Sequence, residues 1–436
     1  MKLTKFLIVL LLLLFPFGQL TRIPLGISGV ALYFQDLIVA GLFFWWIIDH
    51  LLKRKPFFKP PLALPIIGFI LIAVFSLLIN FSRLNLSEFF VSFLYLLRWS
   101  AYAGIYFVTY EISRESRHAT HSVGVVDPRH KMSGQKNMKT EKNRIEILNL
   151  LIWAGITTAV FGLIQYFLYP NLRNLYYLGW DPHQYRIFGT FLDPGFLGII
   201  LVLTLILLLC FKTLKQGIRL SGILIVFLTL LLTYSRSSYL ALTMAMIVLT
   251  WLKRSLKFLL IPVLILFFAV GISILPRQPS EGVKLERTST ISARLENYQQ
   301  SLKIIKDNLF FGAGFNSLRF VKRDYDLLNQ DWQESHSGAG IDSSLLFVLA
   351  TTGVVGLSVY LWMFWKIIQL ALSHHPRSQS PPRRKDTLRL LSEASFSTIA
   401  IISALFVHSF FLNSLFYPWV MLWMWVLLGF SHSENK

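Results

Sequence analysis

The chain reads as an all-α, polytopic transmembrane bundle of about twelve spans, with a helical extracytoplasmic loop between spans nine and ten. Three observations predict this. Hydrophobic residues make up 54% of the 436 positions and charged ones only 15%, a balance that excludes an ordinary soluble domain. The apolar residues fall into runs, several close to the ~20 residues needed to cross a hydrocarbon core. The basic residues alternate between dense and sparse from one connecting segment to the next, as expected of a chain threaded back and forth through a bilayer.

The runs cover roughly 6–20, 28–52, 62–80, 89–110, 147–169, 195–213, 219–234, 238–252, 257–276, 343–367, 394–412 and 415–430. Lys2 and Lys5 ahead of Phe6–Phe15 resemble a signal peptide, but no small-residue cleavage site follows and Pro16 interrupts the run. It is read as an uncleaved first span. The whole chain, 1–436, is then a single integral membrane domain.

Orientation follows from Lys and Arg. With the N-terminus in the cytoplasm, the inner segments carry Lys53-Arg54-Lys55, eight basic residues from Arg114 to Arg144, Lys212, Lys215 and Arg219, Lys253-Arg254, and the stretch from Lys366 to Arg389. The short outer loops carry only Arg22, Arg83, Arg173, Arg186 and Arg236. Both termini are expected in the cytoplasm, in a bacterial cytoplasmic membrane. The net charge of +20 is then mostly topological and calls for no nucleic-acid partner. Cys210 is the one cysteine, so no intrachain disulfide and no Cys-based metal site is possible.

Two connecting segments are long. Residues 112–146 are polar and read as a flexible cytoplasmic loop; His118, His121 and His130 lack metal-ligand spacing. Residues 277–342 form the extracytoplasmic loop. Ile291, Leu295, Tyr298, Leu302 and Ile305 recur there at helical spacing, predicting an amphipathic helix over 291–307 that stops at Asn308 and Gly312-Ala-Gly314. A second short helix is expected over Lys322–Trp332. Within the spans, Asp36 and Arg98 are each costly alone in lipid, and their mutual pairing is the expected resolution.

The chemistry gathers on the outer face. Arg186 precedes span six, and Arg236 lies in a polar break, Thr233-Tyr-Ser-Arg-Ser-Ser-Tyr239. Arg294 opens the amphipathic helix, and His336 and Asp342 precede span ten. Guanidinium groups match phosphate oxygens and stay charged in a low-dielectric site. A carboxylate or imidazole beside them could accept a proton from a hydroxyl. Each residue also has a plainer reading. A lone arginine there is an interface anchor, the serines are turn formers, Asp342 is a helix cap, and His336 is a surface histidine. The functional reading rests on their conjunction. No paired acidic motif lies near the arginines, so neither a metal nor another cofactor is expected.

Four segments, in this order, resemble the O-antigen ligase and polymerase superfamily of bacterial envelope glycosyltransferases. They are Arg186-Ile-Phe-Gly-Thr-Phe-Leu-Asp-Pro194, Tyr234-Ser-Arg-Ser-Ser-Tyr-Leu-Ala-Leu242, Arg294 through Gly312-Ala-Gly-Phe-Asn316, and Asp342-Ser343 followed after nine residues by Gly353 and Gly356. The resemblance spans about 185–360. It implies a metal-independent, inverting transfer from an undecaprenyl-diphosphate-linked glycan donor to a glycan or lipid-glycan acceptor. Arg186, Arg236 and Arg294 would hold the diphosphate. The general base would fall on position 342, where the family's histidine is replaced by Asp342; His336 supplies an alternative imidazole. That departure leans the reading from ligase towards polymerase. The rival is a transporter or flippase of lipid-linked oligosaccharide, to which Asp36 and Arg98 lend some support.

Overall fold

A computed structural model describes residues 2–23, 30–54, 60–118, 132–178, 180–274, 283–285, 288–328, 340–373 and 385–431. Helices dominate it. The first five are α1 (Lys2–Leu14), α2 (Phe34–Leu52), α3 (Ala63–Ile79), α4 (Leu86–His118) and α5 (Met132–Leu168). Four more follow: α6 (Pro194–Cys210), α7 (Gln216–Leu232), α8 (Arg236–Lys253) and α9 (Leu260–Ile274). After them come α10 (Ser289–Asp307), α11 (Leu318–Asp324), α12 (Ser344–Ser373), α13 (Lys385–His408) and α14 (Pro418–Ser431). Among the described residues the β structure is one two-residue antiparallel pairing, Arg22–Ile23 with Leu32–Tyr33.

Each of the twelve apolar runs contains a helix. Five helical segments are both long and apolar enough to span a membrane, and six more apolar helices are shorter. The surface agrees with lipid as solvent. Phe267 on α9, Trp251 on α8 and Leu64 on α3 are at least 69% exposed, together with many neighbours, far beyond the apolar patches a soluble monomer tolerates. The protein is an all-α helical membrane protein.

Two helices sit at the centre. In α6 nearly every side chain from Pro194 to Cys210 is buried, and in α14 every one from Pro418 to Gly429 is. A helix buried on all sides is surrounded by other helices rather than by lipid. Accordingly α14 packs on α4, α6 on α7 and α13, and α13 on α8. Trp99, Trp419, Trp423 and Trp425 fill this core.

The Asp36–Arg98 pair forms as expected, with Nη2 of Arg98 2.5 Å from Asp36 Oδ2. Asp36 also accepts from Tyr102 Oη at 2.8 Å and the Tyr33 backbone N–H at 2.9 Å. Arg98 lies over the rings of Tyr33 and Tyr95. The two charges satisfy each other and their neighbours, which is how a buried ion pair meets its desolvation cost.

The loop elements of the second half lock onto α12. That helix breaks at Gly353, where φ is +68°. Segment 309–314 docks into the break. Ala313 and Gly314 donate to the carbonyls of Ala350 and Thr351, and Val354 and Val355 donate to those of Leu309 and Phe310. The approach is close enough that a Cβ on Gly353 would sit 2.1 Å from the Phe310 carbonyl oxygen. The short second helix lies at Leu318–Asp324, earlier than the expected 322–332, of which 329–332 lie outside the described residues. It starts as soon as the chain leaves the Gly312–Gly314 turn, and it buries Leu318, Phe320 and Val321.

Candidate active site

The starts of α6, α8, α10 and α12 and the ends of α7 and α13 meet at one end of the bundle. Between them lies a cleft of about 220 Å³. Its lining includes Arg186, Arg236, Arg294 and Asp342, four residues from four separate segments. His336, the fifth candidate, lies outside the described residues.

Arg236 is the first residue of α8. Its Nη1 donates to the Leu285 carbonyl at 3.1 Å, and Arg294 is close enough to act on it as a like charge. Two guanidinium groups brought together repel one another, and an anion between them removes the repulsion. The helix start adds to this. Ser235 precedes α8 without any side-chain cap, so the first-turn N–H groups beside the cleft bring the positive end of the helix dipole to it. The neighbouring α6 is different. Asp193 caps it, with Oδ1 accepting from Gly195 at 2.7 Å and Phe196 at 2.8 Å.

Arg186 is buried, 7% exposed. Its Nε donates to the Thr233 carbonyl at 2.9 Å and its Nη2 to that of Tyr234 at 3.4 Å. Tyr234 has φ +51°, an unfavourable left-handed conformation for a tyrosine. The guanidinium therefore braces the turn that presents Arg236, besides lining the cleft. Burial pushes its pKa down and the nearby Asp193 and Asp181 oppose this; it remains a cation.

Asp342 is half-buried at the end of a short segment that α10 holds in place. Asn297 accepts from the Asp342 N–H at 3.1 Å and donates to the Gly340 carbonyl at 3.2 Å. Tyr298 Oη donates to the Asp342 carbonyl at 3.1 Å, and buried Lys322 donates to Gly340 at 3.2 Å. The α12 cap is Ser343, whose Oγ accepts from the Leu346 N–H at 3.3 Å, so the carboxylate of Asp342 is left to face the cleft. Burial pushes its pKa above the ordinary carboxylate value; Arg294 pulls it back, Asp193 adds to the rise and Lys322 opposes it.

Sequence reasoning did not single out two histidines. His183 lines the cleft, with Nδ1 3.4 Å from Asp181 Oδ2 and Nε2 3.9 Å from Asp193 Oδ2. Its position three residues before Arg186 was the available signal. His408 lies inside the apolar α13 and stands behind the serines of α8; no local pattern marks it. Among the described residues no group of three or more His, Cys, Asp or Glu side chains is arranged to hold a metal.

The fold and cleft define a helical membrane protein with an arginine-lined site at one end of its bundle, beside a carboxylate. Residues 221–361 match the model of a family described as O-antigen ligase, and the resemblance to the O-antigen ligase and polymerase superfamily stands on that match. The matched segment runs from α7 into α12 and contains Arg236, Arg294 and Asp342. No curated protein matches the chain. At the level of the family, the match supports a ligase- or polymerase-like membrane glycosyltransferase.

Proposed function

We propose that the protein transfers or polymerises an undecaprenyl-diphosphate-linked glycan on the extracytoplasmic face of a bacterial inner membrane. The observation that carries this reading is the convergence of Arg186, Arg236, Arg294 and Asp342 on one cleft. The short loops at the cleft end carry few basic residues, while Lys53-Arg54, Lys212, Lys215, Arg219, Lys253 and Arg254 lie at the opposite helix ends; the nine basic residues of the long segment 277–341 weigh little, since long loops translocate largely regardless of charge. The positive-inside rule supports a cleft on the outer face, both termini in the cytoplasm and about twelve spans.

In this reading Arg236 and Arg294 hold the diphosphate, assisted by the α8 N–H groups, and Arg186 holds the turn. Asp342 takes the proton from the acceptor hydroxyl. The acceptor oxygen bonds to the anomeric carbon from the face opposite the diphosphate, giving inversion. The bond from that carbon to the diphosphate oxygen breaks, and its electron pair stays on the departing lipid diphosphate. Guanidinium groups placed where that charge develops are the largest rate-enhancing element such a site can offer. The replacement of the family's histidine by Asp342 favours polymerisation, with a second lipid-linked glycan as acceptor. His336 is the alternative base.

A transport route is less well supported, because Asp36 and Arg98 bond to each other and to Tyr33, Tyr95 and Tyr102. The test is surface polysaccharide in cells carrying Arg236→Ala or Asp342→Asn. Chain growth or attachment should be lost while the protein remains in the membrane; normal polysaccharide in both variants would overturn the reading.

A further inference from the structure

The N-cap and first turn of α8 carry three serines besides Arg236, and a buried imidazole stands behind them. His408, at the last residue of α13, is 0% exposed. Its Nε2 is 3.3 Å from Ser237 Oγ and 3.4 Å from Ser238 Oγ. Ser235 Oγ is 2.8 Å from Ser238 Oγ and 3.2 Å from Ser237 Oγ. Ser235 and Ser237 line the cleft.

The position of one proton sets the direction of every hydrogen bond in this cluster. A neutral imidazole carries a single N–H. His408 Nδ1 is buried with no hydrogen-bond partner. A proton there would leave a buried donor unpaired, at a cost of about 1–3 kcal/mol. A proton on Nε2 meets two serine oxygens, and the Gly195 carbonyl is a further acceptor for the ring, so the network assigns it to Nε2. Ser237 and Ser238 then accept from the imidazole. Ser238 is left to donate to Ser235 at 2.8 Å, the nearer acceptor than the Gly195 carbonyl at 3.5 Å. Ser235 and Ser237 are 3.2 Å apart and can share one proton between them; an anion in the cleft, a stronger acceptor than a hydroxyl, draws both protons towards it. With the opposite tautomer, Ser237 or Ser238 would donate inward to Nε2, and an oxygen lone pair would face the anion instead.

We propose that His408 is a positioning residue: its Nε2–H orients the α8 serine cluster so that Ser235 and Ser237 donate hydrogen bonds to a diphosphate held in the cleft. This rests on the diphosphate reading of the cleft. The role is to orient donors; His408 itself does not touch the ligand.

The test is binding of farnesyl diphosphate, a short prenyl diphosphate, to the purified full-length protein in nanodiscs, with inorganic diphosphate in parallel. Losing a hydroxyl donor to a charged oxygen weakens binding about tenfold or more. His408→Leu should weaken both probes by this factor. Ser237→Ala should also weaken both, and the double variant should lose little more than His408→Leu, since His408 acts only through the serines. His408→Gln, whose amide keeps an N–H, should recover most of the affinity. A purely structural role for the imidazole would leave His408→Gln as weak as His408→Leu and overturn the proposal, as would additive losses in the double variant. A loss confined to farnesyl diphosphate would place the effect on the prenyl chain and also overturn it. Arg236→Ala separates the two ideas. If it binds both probes normally, the diphosphate reading fails; if it is weakened and His408→Leu is not, only the His408 proposal fails.

Discussion

Gly353→Ala should silence the protein from a position that touches no substrate. Gly353 has φ +68°, and a Cβ there would lie 2.1 Å from Phe310 O and 2.5 Å from Phe311 N. With φ +68° and ψ −171° the residue sits in a region essentially restricted to glycine, costing an alanine about 1–3 kcal/mol, and forcing a methyl into a packed contact costs about 1–3 kcal/mol more. The alternative is to undock segment 309–314 from α12. That breaks four backbone hydrogen bonds, from Ala313, Gly314, Val354 and Val355, each worth about 0.5–1.5 kcal/mol net. The atoms in the way are backbone, which no rotamer change can move aside, so the docked segment gives way while the rest of the bundle holds. The consequence falls on α10, which leads into that segment and carries Arg294, Asn297 and Tyr298. A shift of about 1 Å between Arg294 and Asp342 is enough to lose ~100-fold in rate. The assay is glycan transfer by purified protein, alongside thermal unfolding in detergent. Gly271→Ala on α9, where an added Cβ meets nothing within 4 Å, is the control and should behave as the unmodified protein. Unchanged transfer by Gly353→Ala would refute the argument that this docking sets the site.

Four further outcomes follow from the same geometry. As the proposed base, Asp342 would act only when ionised, and burial favours its protonated form; kcat/KM should therefore fall, as pH is lowered, at a pH above the ordinary aspartate value of about 3.9. Arg294 lowers that pKa, so Arg294→Ala should move the acid limb to higher pH, and a limb that stays in place would remove Asp342 as the titrating group. Arg98→Leu leaves Asp36 in the bundle without its cation and should destabilise the protein by about 3–5 kcal/mol, read as a lower unfolding temperature. The paired change Asp36→Asn with Arg98→Leu should recover part of the loss and retain glycan transfer; retained stability without transfer would point to a conducting role for the pair.

Much of this was legible in the sequence, because hydrophobic run length and basic-residue asymmetry are local and strong signals. Each apolar run contains a helix, and α10 begins two residues before the amphipathic pattern at Ile291. Arg186, Arg236, Arg294 and Asp342 could be named from polar breaks between runs, and they do line one cleft. What stayed hidden depends on which helices touch. His408 looks like any residue of an apolar helix, and its partners Ser237 and Ser238 are 171 and 170 positions away. Lys322 lies in a basic surface-like stretch, yet it is 1% exposed. Arg186 was read as a diphosphate ligand, and its bonds to Thr233 and Tyr234 depend on a turn whose left-handed Tyr234 has no sequence signature. Gly312 looked like an ordinary helix stop, and only the break in α12 reveals what it packs against.

The central claim is that Arg236 and Arg294 neutralise a leaving lipid diphosphate. It is tested most directly by single-turnover transfer from a synthetic polyprenyl-diphosphate-linked glycan, with purified protein in nanodiscs. The account predicts that Arg236→Ala lowers the rate of the chemical step by about 100- to 1,000-fold and that Arg236→Lys recovers only part of it, since an ammonium keeps the charge without the bidentate fork. A chemical step unchanged in Arg236→Ala would contradict it.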